Sequence, residues 1–110
     1  MIFKRENVPL TRKVHVIFCS NRAIRRLNAA FRHKDRATDV LSFNYDEPDL
    51  LGEIYISLQK AKAQAGEYRV TFESEVLRLF VHGMFHLLGF DHESERDAKK
   101  MRRKESPYLA

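Results

Sequence analysis

The 110-residue sequence has a single cysteine, Cys19, and no tryptophan. One thiol cannot form an intrachain disulfide, and a reducing compartment is its natural setting. Three prolines and four glycines are too few for a flexible linker, and no repeat or low-complexity tract is present. No apolar run approaches the ~18 residues a membrane span needs. The opening Met1-Ile2-Phe3-Lys4-Arg5-Glu6 holds no apolar stretch of signal-peptide length. These absences lead us to expect one cytoplasmic domain over residues 1–110, with no membrane partner.

What is present is charge. Hydrophobic residues make up 44% and charged residues 32%, the balance of a globular chain rather than a disordered one. Twenty Lys+Arg against fifteen Asp+Glu leave a net +5. Such an excess favours polyanions, of which nucleic acid is the commonest, although solvated helix faces produce the same number. The basic residues cluster: Arg22, Arg25 and Arg26, then Arg32, Lys34 and Arg36, then residues 99–104.

Hydrophobic periodicity outlines an α+β chain. Lys13–Cys19 is β-branched and aromatic, apolar on both faces, and reads as a central strand. Ser20 or Asn21 caps a helix on which Ile24, Leu27 and Phe31 recur at helical spacing. A charged loop, 32–38, leads to a second strand, Val40–Asn44, and residues 46–49 form a turn before a third strand at 52–56. Ser57 can cap an Ala-rich helix ending near Gly66. Thr71 can cap the longest helix, with Glu73 and Glu75 near the positive end of its dipole. Val76, Leu77, Phe80, Val81, Met84, Leu87 and Leu88 wrap most of that helix, so it should be central and buried, with Glu75 at the surface. Gly89 supplies a left-handed stop. A charged helix is expected at 94–104. His15, a lone histidine among apolar neighbours, reads as a core residue.

Three histidines stand together in His82-Gly83-Met84-Phe85-His86-Leu87-Leu88-Gly89-Phe90-Asp91-His92. Residues four apart share a helix face, so His82 and His86 can grip one ion while a bend at Gly89 swings His92 back. Neutral imidazoles suit Zn²⁺, and Ni²⁺, Co²⁺ or Cu²⁺ accept similar sites. Three protein ligands leave a position open, the mark of a catalytic site. Cys19 as a fourth ligand would close it, but a strand cysteine has no reason to face this helix. Asp91 can orient a ligand imidazole, or it can cap a turn or the final helix. The spacing is that of the metzincin proteases at every position except Gly83, where a protease carries its general-base glutamate. A Gly83→Glu chain is expected to keep zinc and gain no peptide hydrolysis.

At these residues the chain resembles the YbeY family of bacterial rRNA maturation factors. The histidine segment follows that family's H-G-x-x-H-L-x-G-[YF]-D-H. Arg32-His33-Lys34-Asp35-Arg36-Ala37-Thr38-Asp39-Val40-Leu41-Ser42-Phe43 follows its R-G-x-D-K-P-T-[ND]-V-L-S-F, and Leu51-Gly52-Glu53-Ile54 its L-G-[DE]-I. Together these blocks span about residues 13–97. The resemblance implies a metal-dependent, single-strand-specific endoribonuclease acting in 16S rRNA 3′-end maturation and ribosome quality control. It implies a mixed sheet of about four strands packed with helices, one zinc per chain on His82, His86 and His92, and Arg32 as a catalytic residue. It also implies ribosomal proteins and ribosome-assembly GTPases as partners. Three departures stand out. The family usually begins with a further strand and helix, of which Met1-Ile2-Phe3 is at most a remnant; the C-terminal helix is short; and His33 and Ala37 replace a glycine and a proline. The other readings are a metzincin-like zinc peptidase and a non-catalytic, zinc-containing assembly factor.

Overall fold

The computed structural model describes residues 13–45 and 47–89. Its elements are β1 (Lys13–Cys19), α1 (Asn21–Arg32), β2 (Val40–Asn44), β3 (Leu50–Ser57), α2 (Leu58–Tyr68) and α3 (Phe72–Leu87). Met1-Ile2-Phe3, the charged stretch at 94–104, Asp91 and His92 lie outside the described residues.

The sheet is mixed, in the order β1-β3-β2. β3 runs parallel to β1 and antiparallel to β2. Four strands and a central β1 are expected from the sequence; the described residues form three, with β3 in the middle and β1 at an edge. The apolar pattern of β1 suits either place, because Val16 and Phe18 remain partly exposed beside Leu58, Phe72 and Leu77 around an open apolar hollow. His15 likewise is no core residue. More than half exposed, it stands 3.9 Å from the Glu53 carboxylate of the neighbouring strand.

Each helix starts on the side chain expected to cap it. Ser20 accepts from the Ala23 amide, Ser57 from Lys60 and Thr71 from Ser74. Each cap satisfies one of the amides that lack a partner in a first helical turn. Ser57 also ends β3, so strand passes to helix with no loop between, and its hydroxyl donates to the Asn21 side chain at 2.6 Å. α1 extends through Arg32, one residue into what the sequence suggests is loop. His33 closes it at φ 57°, ψ 33°. That left-handed position normally favours glycine, which accounts for the glycine in the family pattern and shows that histidine can hold the same turn.

α3 lies across the sheet and is the core's largest contributor. Leu79, Val81, Met84, Phe85 and Leu87 are buried, with Ile54, Ile56 and Leu51 of β3 among the buried residues facing this core. Burying each such side chain contributes about 1.5–3 kcal/mol. Two sequence expectations for this helix are corrected. Leu77 is exposed, because it lines the open apolar hollow beside Val16 and Phe18. Glu75 is only 1% exposed, and a two-pronged ion pair with Arg78 (2.8 Å to each oxygen) lets its charge be buried. The carboxylate in turn makes the Arg78 guanidinium harder to deprotonate.

Candidate active site

The histidine helix and the arginine helix meet at β2. On α3, the Nε2 atoms of His82 and His86 stand 3.1 Å apart, with the rings edge to face at 4.7 Å and both half-buried. This is a hydrogen-bond length for one neutral ring donating to the other. It is also close to the roughly 3.3 Å that separates two nitrogens bound ~2.0 Å from one tetrahedral zinc. The spacing of the pair is therefore compatible with two ligands of one divalent ion. No group of three His, Cys, Asp or Glu converges among the described residues, and the proposed third ligand, His92, lies outside them. α3 ends as the pattern requires: Gly89 takes φ +95° and its amide donates to the His86 carbonyl at 3.1 Å.

Arg32 sits at the exposed end of α1. Its Nη2 donates to the Ser42 carbonyl at 2.7 Å, and its guanidinium lies 5.5 Å from the centre of the Phe43 ring. The same Ser42 donates its hydroxyl to the Gly83 carbonyl at 3.1 Å. One β2 residue thus holds Arg32 through its backbone and the histidine helix through its side chain. Two residues along, Asn44 donates to the Leu87 carbonyl at 2.7 Å. Two residues of strand advance ~6.6 Å and four of helix ~6 Å. Alternate strand side chains therefore meet carbonyls four apart and lock α3 in register beside β2.

Gly83 faces this strand, not the open side of the histidines. A Cβ there would stand 2.8 Å from Cγ2 of Ile54 and 3.0 Å from the Ser42 hydroxyl. A glutamate at this position would be driven toward the sheet, not placed beside a metal. The missing protease base is thus explained by packing. Gly52, the glycine of the third block, is constrained in the same way, since a Cβ there would meet the Phe43 carbonyl and the Leu87 side chain.

The loop after Arg32 is held by side chains that the sequence does not single out. Arg25 pairs with Asp35 at 2.9 Å, lowering the carboxyl's pKa and raising its own. Buried Asn28 donates to the Arg36 carbonyl, and its own backbone carbonyl accepts from the Lys34 amide. Asp39 accepts from the Val40 amide and from Gln64 of α2. A polar Asn28 on the apolar stripe of α1 is the one signal that could have revealed this anchoring. The Cys19 thiol lies 3.6 Å from the Ile56 carbonyl and is pushed up in pKa by burial.

A histidine-bearing helix laid across a small mixed sheet, with an arginine tethered at the adjoining strand, defines the class: a compact α+β domain with a candidate active site along one sheet edge. The family model described as Endoribonuclease YbeY matches residues 1–110, and the chain belongs to that family. It is 54% identical over 88 residues to the endoribonuclease YbeY of Myxococcus xanthus, a match covering 74% of this chain and 30% of that protein. With the endoribonuclease YbeY of a Sulfurihydrogenibium species it shares 50% over 95 residues, 81% of this chain and 62% of the other. The chain thus spans less than two thirds of either relative. Against that of Geobacillus thermodenitrificans the figures are 44% over 117 residues, 94% and 75%. The solution structure of TM1509 from Thermotoga maritima is similar with a TM-score of 0.68 at 41% identity, covering 97% of this chain and 71% of that one.

Proposed function

We propose that this chain is a metal-dependent endoribonuclease specific for single-stranded RNA, acting in the cytoplasm on the 3′ end of 16S rRNA. The observation that carries the reading is the paired Nε2 atoms of His82 and His86, 3.1 Å apart on the helix whose backbone is tied through Ser42 to Arg32. His82, His86 and His92 would hold one zinc, with nickel or another divalent transition metal as an alternative. Bound there, such an ion supplies positive charge against a phosphate and lowers the pKa of water it holds. Arg32 binds the phosphate oxygens through its planar fork and offsets the charge that grows on them during cleavage. Its bond to the Ser42 carbonyl uses one donor and fixes the side chain's direction, leaving the other guanidinium donors for the substrate. The tether thereby removes part of the entropy cost of ordering a long side chain. Ribosomal proteins and assembly GTPases are the partners proposed with this role. A peptidase reading is disfavoured, because the position for its glutamate is packed against Ile54 and Ser42.

The test joins elemental analysis to cleavage of single-stranded RNA. Wild type should carry close to one metal equivalent and cut RNA. His86→Ala should lose both properties, and Arg32→Ala should keep the metal and the fold while losing most of the cleavage. Retained cleavage in Arg32→Ala would end its catalytic assignment, and full metal retention in His86→Ala would end the ligand assignment. Metal and RNA binding with no cleavage by wild type would favour the non-catalytic assembly factor.

A further inference from the structure

Phe31 breaks the pattern of its own helix. It follows Ile24 and Leu27 at helical spacing, which puts it on the inward stripe, yet it remains 65% exposed, whereas Ile24 is fully buried. It overhangs the face of the sheet opposite α3. There its ring stands edge to face with Phe43 at 5.5 Å, and Phe43 stands likewise with Tyr55 at 5.7 Å. The Arg32 guanidinium lies over the same Phe43 ring. A single exposed phenylalanine needs no explanation. A continuous aromatic row that ends at an open ring and shares a residue with the tethered arginine is a different matter.

Basic residues gather at the row's open end, while at its inner end Glu53, cross-strand from Phe43, accepts from the Tyr55 hydroxyl. α1 carries Arg22, Arg25, Arg26 and Arg32 and no acidic residue, and exposed Lys34 and Arg36 follow it. Among the described residues only Arg25 of this set is ion-paired, with Asp35. A basic track leading to open aromatic rings is how proteins hold single strands: cations follow the backbone, and rings stack on bases that a duplex would hide.

We infer that Phe31, backed by Phe43, stacks an unpaired nucleobase of single-stranded RNA next to the phosphate that Arg32 holds. This deepens the proposed endoribonuclease reading and rests on it. The base would take the open part of the Phe31 ring, while Phe43 and Arg32 fix that ring's place relative to the phosphate. Selectivity for single strands then has a physical source, since only an unpaired base can leave its neighbours to stack on protein.

The test measures binding of a short single-stranded oligoribonucleotide before cleavage sets in, beside the same strand with one abasic position scanned along it. Phe31→Ala and Phe31→Leu should each weaken binding about tenfold, a typical loss for one stacked base. Phe31→Trp should restore it, and melting temperature and the salt dependence of binding should hardly change. One abasic position should bind weakly to wild type and lose nothing further in Phe31→Leu. Leucine keeps the apolar bulk without the π-face, so wild-type affinity in Phe31→Leu would overturn the inference while leaving the endoribonuclease reading intact. Equal losses for every abasic strand would overturn it too. A wild type that neither binds nor cuts single-stranded RNA would overturn that reading, and the inference with it.

Discussion

His33 and Tyr45 are the residues whose surroundings most clearly set a measurable energy. His33 sits at φ 57°, a region that costs a residue with a Cβ roughly 1–2 kcal/mol and glycine almost nothing. Against this, glycine loses more entropy on folding, worth up to ~1 kcal/mol. The strain is the larger of the two, so His33→Gly should stabilise by about 0.5–1 kcal/mol, seen as a rise of a few degrees in melting temperature. A fall would mean that the imidazole itself supports the loop. Tyr45 donates its hydroxyl to the Glu53 carboxylate at 2.6 Å, and this bond pushes the phenol pKa up to about 12 from 10.0. A raised folded-state value means that folding favours the protonated phenol. That contribution is complete below pH 10 and is lost as pH rises through about 12. Denaturation midpoints should therefore fall over this interval in wild type and fall less in Tyr45→Phe. Parallel curves would remove the bond from the account.

At the scale of elements, the contact that decides the site is the close approach of α3 to the sheet. Alanine at position 83 would gain about 1 kcal/mol in helix propensity. Its methyl would also meet Ile54 at 2.8 Å. A buried, β-branched side chain cannot swing aside, and overpacking costs about 1–3 kcal/mol. The clash should win, so Gly83→Ala is expected to lose about 1 kcal/mol in urea denaturation despite the better helix former. Asn44→Ala tests the same seam differently. It removes the donor to the Leu87 carbonyl near the helix end and should cost about 1 kcal/mol with an unchanged urea slope. It should also reduce metal affinity, because the last turn of α3 carries His86. Wild-type metal affinity in that variant would show that the turn holds its place without β2.

For the whole molecule, the net +5 becomes a statement about binding only through its distribution. Basic α1 lies on the face of the sheet opposite α3, and Arg32 at its end reaches Ser42, which binds the histidine helix. RNA affinity should fall steeply with salt, by roughly 0.7 in logarithmic slope for each phosphate neutralised on a single strand. Replacing Arg22 and Arg26 together by glutamine should flatten that slope by about 1.4 and leave metal content unchanged. An unchanged slope would make α1 a solvated face and move the electrostatic contact elsewhere on the chain.

Local chemistry settled what local chemistry can. The serine and threonine caps, the positive-φ stop at Gly89, the 3.6-residue period of α3 and the pairing of His82 with His86 all depend on neighbours within about a turn of chain, so they are legible in the sequence. Tertiary packing decided the rest, because those outcomes depend on which surfaces meet. β3 rather than β1 is central because it pairs on both edges. Glu75 is buried because Arg78 folds over it. Gly83 must lack a side chain because Ile54 and Ser42 occupy that space, and Phe31 stays largely in solvent beside Phe43 of the edge strand β2. No spacing along the chain encodes a distance of 2.8 Å between residues 29 positions apart; only the docking of a helix on a sheet does.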